Sequence, residues 1–153
     1  MMNIKANQFV VKIGTGKSSI SALNAIDNAM LNAGIGDLNL IMVSSILPKG
    51  IKKTDKIDGK IGDFKSCVMA QSVGIKGEVA SGIAYGFRED DKGGCVAEHS
   101  ACRKKIDMDE FERTLLNKLE GMADSRDIRL KDKNVLHTHL RVEDFEYGCA
   151  IAV

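Results

Sequence analysis

A run of apolar residues from Leu38 to Leu47 constrains the fold more than any other stretch of this 153-residue chain. Asn39 and the pair Ser44-Ser45 interrupt the run, and the only proline, Pro48, follows it directly. A strand that is apolar at nearly every position is usually covered on both faces, which favours a layered fold. Polar groups in such a strand need hydrogen-bond partners, so we expect Asn39 and the serines in a bonded cluster or at the strand edge.

The rest of the sequence predicts two helices and about seven strands. Ile20, Leu23, Ile26 and Met30 recur at helical spacing, with Gly34 as the stop. A second helix is predicted from its N-cap Asp107 to about Ala123; its charged residues, including Lys118, are expected to face solvent. Strands are predicted at 8–13, 38–47, 65–73, 77–87, 94–98, 134–142 and 147–153. This pattern predicts one α/β domain of stacked layers over residues 1–153.

Charge and composition narrow the possible partners. The chain has 22 Lys plus Arg against 21 Asp plus Glu, a net charge of +1, which gives no reason to expect nucleic acid or an anionic membrane as a partner. No apolar run approaches the ~20 residues of a membrane span, and the N-terminal residues lack the apolar core of a signal peptide. We therefore expect a cytoplasmic protein.

Two apparent motifs do not meet their chemical requirements. The stretch GTGKSS, residues 14–19, resembles the tail of a phosphate-binding loop, but Val11 stands where the loop needs its first glycine, so we interpret it as a turn that ends in a helix cap. The four cysteines include no close CxxC pair, so free thiols are predicted. The spacings Cys95-x3-His99-x2-Cys102 and His137-x-His139 do not amount to a structural zinc site, and no metal is predicted.

The residues around Ser44-Ser45 indicate a function for this pair. The order LNAGIGDLNLIMVSSI over residues 31–46, its extension back to Asn24, and GGCVAEHS over residues 93–100 are similar to the pyruvoyl-dependent arginine decarboxylase family. The similarity covers most of the chain and is most specific over 24–46. It implies an α/β fold that is a layered αββα sandwich of mainly antiparallel sheets with two principal helices.

The resemblance also implies a reaction. Ser45 Oγ attacks the carbonyl carbon of Ser44, the chain is cut into a β chain of residues 1–44 and an α chain of residues 45–153, and Ser45 becomes a pyruvoyl group. This group forms a Schiff base with the substrate amine and accepts electrons as CO2 leaves. The implied activity is decarboxylation of L-arginine to agmatine, in a homotrimer with sites between subunits; pairing of trimers into hexamers is left open.

Three further residues take roles from the same resemblance. Asn39 would assist the processing, or its amide would simply pair with strand-edge backbone. Glu98 would be the proton donor, since desolvation after the apolar run Cys95–Ala97 would raise its pKa; a solvated strand end is the alternative. Asp27 would bind the guanidinium, or be an ordinary surface carboxylate. The following pair His99-Ser100 departs from the family's aromatic-acidic pair.

Other functions stay open at this stage. Ser45 could serve a hydrolase with His99 or His137 as base, although no GxSxG elbow is present. The chain could instead be an unprocessed, non-catalytic assembly or regulatory homologue. Lysine or ornithine could replace arginine as the substrate, because nothing in the sequence measures the length of the pocket.

Overall fold

The computed structural model describes residues 6–56 and 58–153, so part of the N-terminal stretch considered for a signal peptide lies outside it. The fold is mixed α/β, with two helices and several sheets. Its elements in chain order are β1 (Gln8–Phe9), β2 (Ile13–Ser18), α1 (Ala22–Asn32), β3 (Asn39–Met42), β4 (Ile46–Leu47), β5 (Lys52–Lys53), β6 (Phe64–Cys67), β7 (Ala70–Gly74), β8 (Gly77–Arg88), β9 (Gly94–Arg103), α2 (Met108–Asp124), β10 (Leu130–Val142) and β11 (Tyr147–Ala152).

Helix α1 confirms the predicted helix but buries a different face. The Ser21 side chain caps its first turn by accepting from the Asn24 amide, and Gly34 follows its end with φ 73°, a conformation suited to glycine. The buried residues of α1 are Ala25 and Ala29, both 0% exposed. Leu23, expected in the apolar stripe, is 74% exposed. The helix therefore makes its closest contacts through small side chains, with Ile26 and Met30 partly buried beside them and Leu23 outside.

Residues 14–19 do not form the predicted turn, because most of them lie in strand β2. A Cβ atom on Gly14 would lie 2.2 Å from the Ala29 carbonyl oxygen, and one on Gly16 would lie 2.4 Å from that of Ala25. These glycines thus allow β2 to approach the backbone of α1, with no room for a side chain. The prediction of a turn failed because the glycines are required by close contact with helix α1, which residues 14–19 alone do not reveal.

Helix α2 follows its prediction closely. The Asp107 carboxylate accepts from the amides of Asp109 and Glu110, and the helix extends one residue past Ala123. Leu115 and Leu119 are fully buried. They pack against β8 and β9 through Ala84, Cys95 and Ala97. One face of α2 is therefore covered by the chain's own sheet.

Two larger sheets form the centre of the molecule. The first has the strand order β10-β8-β9-β4 and the second the order β2-β11-β7, all pairs being antiparallel. Helix α1 packs on β2 and β11, whereas α2 packs on the first sheet. The buried Ser81 hydroxyl of β8 donates to the Ala150 carbonyl of β11 at 2.8 Å, so the two sheets contact each other directly.

The apolar run 38–47 is not the continuous, doubly covered strand that was predicted. It forms β3, which pairs in parallel with β6, then leaves this pair at the serines and joins the first sheet as β4. Ile41, Met42, Val43 and Ile46 are 48–66% exposed. The rest of the described chain thus leaves about half or more of each of these side chains uncovered. Neither helix of that part is long and apolar enough to cross a membrane.

Candidate active site

The Ser44–Ser45 peptide lies where the chain passes from one sheet to another. On one side, the Val43 amide donates to the Cys67 carbonyl of β6 at 2.9 Å. On the other side, the Val96 amide of β9 donates to the Ser45 carbonyl at 3.0 Å. The geometry given for the two serines is that of the uncut chain. Both flanks of the peptide are held by backbone hydrogen bonds.

Strand β9 brings Glu98 next to Ser45. Because Ile46 pairs with Cys95 in antiparallel register, the chain before Ile46 runs alongside the residues after Cys95. The half-buried Ser45 donates its hydroxyl proton to Glu98, with 3.1 Å between Oγ and Oε2. Glu98 itself is exposed, so its own chain does not supply the burial expected at this position. The contact places a carboxylate against the serine side chain.

Lys118 approaches the same place from α2. Its ammonium donates to the Glu98 carbonyl at 3.2 Å and lies 3.1 Å from His99 Nδ1. The His99 ring stacks on Phe111, with 4.7 Å between ring centroids. Burial, and then the charges of Lys118 and Arg103, lower the pKa of His99, which favours the neutral ring that can accept from Lys118. The sequence did not predict this contact of Lys118, although the residue borders the apolar stripe at Leu119.

Two depressions adjoin the serine pair. A shallow one of about 420 Å³ is lined by Ser45, Glu98, Lys118 and Arg126, among others. A more enclosed cavity of about 440 Å³ lies beside Val43 and Ile46 and has a mostly apolar lining. The hydroxyl, the carboxylate and two cationic side chains converge only in the shallow one of this pair. We therefore place the candidate site there.

Asn39 and Asp27 do not join this cluster in a single chain. The Asn39 amide donates to the Gly62 carbonyl at 2.8 Å, which matches the ordinary alternative of pairing with strand-edge backbone. Asp27 is exposed on α1 and lines neither depression. Their predicted roles stay predictions.

The histidines and cysteines are placed elsewhere. His137 Nε2 lies 3.4 Å from Glu112 Oε2, and within the described residues neither it nor His99 bonds to Ser45. Cys67, Cys95 and Cys149 are buried free thiols, whereas Cys102 is an exposed one. Among residues 6–56 and 58–153, no three His, Cys, Asp or Glu side chains converge as a metal site requires.

The Ser45 hydroxyl is hydrogen-bonded to a carboxylate, and the chain on both sides of the Ser44–Ser45 peptide is held by backbone hydrogen bonds. This arrangement suits a reaction of the serine itself. The family model described as pyruvoyl-dependent arginine decarboxylase matches residues 7–153, and the chain belongs to this family.

Curated relatives agree with the family match. The pyruvoyl-dependent arginine decarboxylase of Methanopyrus kandleri is 34% identical over 146 residues, 95% of this chain and 93% of that protein. The proteins of the same name from Methanothermobacter thermautotrophicus and Pyrococcus abyssi are 32% and 30% identical, over 85% and 86% of this chain and 83% and 84% of their own lengths. The similarity to these proteins therefore extends over nearly the whole domain.

Proposed function

We propose that this chain cuts itself between Ser44 and Ser45, makes a pyruvoyl group from Ser45, and decarboxylates L-arginine to agmatine and CO2. The products of the cut are a β chain of residues 1–44 and an α chain of residues 45–153. The observation that carries the proposal is the 3.1 Å contact between Ser45 Oγ and Glu98 Oε2. The contact links Ser45, which would become the pyruvoyl group, with Glu98, whose carboxyl would act as the acid for that group.

The residues around Ser45 fit such a group. Formation of a pyruvoyl group needs a serine whose preceding carbonyl is held in place. It does not need a lysine or a phosphate-binding loop to hold a separate cofactor. Once formed, the group supplies a ketone that condenses with the substrate amine and draws off the electrons released with CO2. Glu98 lies beside this position and would donate the proton that the substrate carbon takes up. Lys118, bonded to the Glu98 backbone, fixes the strand that carries this acid.

The substrate guanidinium binds Asp27 of a second copy. Leu23, Asp27 and Leu31 form one exposed stripe of α1, on the side opposite the buried alanines; we call it the helix patch. Ile41, Met42, Val43 and Ile46 form the serine patch around the cutting site. Exposed apolar side chains therefore surround both halves of the proposed site, and contiguous patches of this kind mark interfaces.

Contact between the helix patch of one copy and the serine patch of the next completes the site. Because the two surfaces differ, the contact is heterologous and closes only as a ring, which suits a homotrimer with one site at each interface. The layered αββα sandwich belongs to the same proposal, supported by the packing of α1 and α2 on different sheets that contact each other. A cytoplasmic location also belongs to it.

A denaturing gel with mass spectrometry tests the cut. We expect two pieces ending at Ser44 and beginning at residue 45, with the longer one resistant to N-terminal sequencing. Ser45→Ala should stay one inactive chain, whereas Ser100→Ala, an exposed serine on the same strand as Glu98, should be cut normally. Normal cutting of Ser45→Ala would refute the proposal. An intact chain that reacts with a serine-directed probe would indicate a hydrolase, and an intact inert chain a non-catalytic homologue.

CO2 release tests the substrate and the acid. Arginine should be turned over in preference to lysine and ornithine. Glu98→Gln keeps an oxygen that can accept from Ser45, so the chain should still be cut, but turnover should fall about 10²–10⁴-fold without the acid. Equal turnover in this variant would exclude Glu98 as the proton donor.

A further inference from the structure

The carbonyl oxygen of Ser44 already has a hydrogen-bond donor in the uncut chain. The Ile46 amide donates to it, with 2.8 Å between nitrogen and oxygen. A bond between residues two apart closes a γ-turn, here with Ser45 at its centre. Ser45 is not among the non-glycine residues with positive φ, so the turn is the common inverse form. The turn therefore encloses the peptide bond that is to be cut.

This amide is free for such a contact because of its place in β4. The neighbouring sheet bond uses the Ser45 carbonyl as the acceptor of the Val96 amide, and Ile46 faces Cys95 without needing its own N–H for that bond. The Asn39 side chain donates to Gly62 instead. Among the described residues, the Ile46 amide is the one donor found on the Ser44 oxygen.

We propose that the backbone N–H of Ile46 is the oxyanion donor for cleavage of the Ser44–Ser45 bond, an inference that rests on the proposed function. Every serine hydroxyl can reach the preceding carbonyl carbon through a five-membered ring, yet serine peptides are stable. What distinguishes this serine is a donor aimed at the oxygen on which negative charge develops. Such donors act most strongly when they are in place before the reaction.

The assisted step is an isomerisation and needs no other reagent. The Ser45 Oγ forms a bond to the Ser44 carbonyl carbon, the bond from that carbon to the Ser45 nitrogen breaks, and the hydroxyl proton ends on this nitrogen. The products are an ester and a free amine within one chain. Between the two bond changes the Ser44 oxygen carries the negative charge, and the Ile46 N–H lies against it.

An amide-to-ester exchange at Ile46 removes the donor. It also makes the Ser45 carbonyl an ester, a weaker acceptor for the Val96 amide, and the control at Val96 measures the effect of losing that bond. Ile46 is replaced by its α-hydroxy acid analogue, which keeps the side chain and puts oxygen in place of N–H. The rate of cutting, followed by mass spectrometry on freshly folded chain, should fall about 10²–10³-fold, as for the loss of one oxyanion donor.

The matched control is the same exchange at Val96. It removes the N–H that donates to the Ser45 carbonyl, one peptide further along, and should slow cutting less than about tenfold, as expected for one ordinary sheet hydrogen bond. Equal slowing by both esters, or a normal rate with the Ile46 ester, would overturn the inference. If the unaltered chain is never cut, it is the proposed function that fails.

Hydrogen exchange gives a readout that does not depend on folding of the ester variant. In the uncut Ser45→Ala chain, the Ile46 amide should be protected from exchange because it stays bonded to the Ser44 oxygen. An Ile46 amide that exchanges as fast as an unbonded exposed amide would overturn the inference.

Discussion

The two helices differ in how much of their apolar surface the rest of the chain covers. Helix α2 turns Phe111, Leu115 and Leu119 toward its own sheet, and its outer face is mostly charged. The fully buried residues of helix α1 are alanines that lie against the glycines of β2, with Ile26 and Met30 partly buried beside them. The opposite side carries the exposed Leu23 and Leu31. A helix with apolar side chains on two faces has more surface to cover than one chain provides.

Under the proposed function, this difference separates the folding of one chain from its association with further copies. The residues of α2 contribute to the stability of one chain. The outer residues of α1 contribute little to that stability, and the proposal gives them a role only once a second copy arrives. Asp27 lies between Leu23 and Leu31, so a residue assigned to substrate binding shares a surface with residues assigned to association.

The largest contrast is expected from truncating one leucine on each helix. Leu119→Ala removes a fully buried side chain and should cost about 2–5 kcal/mol of unfolding free energy through the cavity it leaves. Leu23→Ala, at 74% exposure, should change monomer stability by less than about 0.5 kcal/mol but weaken association. Urea unfolding and sedimentation on dilution measure the two effects. The comparison breaks if Leu23→Ala unfolds the chain and leaves assembly intact.

A methyl group at the α1–β2 contact should come next. Gly14→Ala places a Cβ 2.2 Å from the Ala29 carbonyl oxygen, and since backbone cannot yield easily, about 3 kcal/mol of stability should be lost. Gly121→Ala on α2 meets no atom within 4 Å and should gain about 0.8 kcal/mol from better helix propensity. Melting at fixed protein concentration checks both. Similar shifts for the two variants would mean that α1 does not need its glycine strand.

Charge removal on α1 should affect the substrate and spare the fold. Asp27→Asn should raise KM for arginine about tenfold or more, because a charge-assisted hydrogen bond worth ~2 kcal/mol is lost. Cutting should be unaffected. The matched carboxylate is Asp109, exposed in the first turn of α2, and Asp109→Asn should leave KM unchanged. An unchanged preference for arginine over lysine in Asp27→Asn would remove Asp27 from the site.

The smallest effect concerns the imidazole beneath α2. Burial lowers the pKa of His99, so an NMR titration should give a midpoint below about 6.5. The folded chain then binds fewer protons than the unfolded one, so this contribution to stability is complete above about pH 6.5 and is lost as the pH falls. His99→Phe keeps the ring on Phe111 without titrating, and its melting temperature should fall less on acidification to about pH 6. An equal fall would contradict this account.

Much of the fold could be predicted where one element carries its own signal. Asp107 and the spacing from Phe111 to Leu119 fix α2 locally, which is why its bounds were nearly right. Strand β2 could not be predicted, because the reason for its glycines is the backbone of α1. The break in the strand at Ser44 was missed for a similar reason: nothing in an apolar run says which sheet each half will join.

The site was predictable in the same uneven way. The similarity to a family singled out Ser45 and Glu98, and the structure brings their side chains into contact. Lys118 was assigned to solvent because a charge beside an apolar stripe usually points outward. Only the packing of α2 beside β9 shows that its long side chain reaches the Glu98 backbone.

The pairing of β2 with β11 has a consequence for the severed molecule. The six residues of β2, from Ile13 to Ser18, pair with the C-terminal strand β11, and α1 packs on both strands. After the cut, the two pieces of one protomer would therefore stay together and migrate as one particle under native conditions, held by these non-covalent contacts. Its denaturation would release two separate chains and its refolding would require them to meet, so even an isolated subunit should melt at a temperature that rises with concentration.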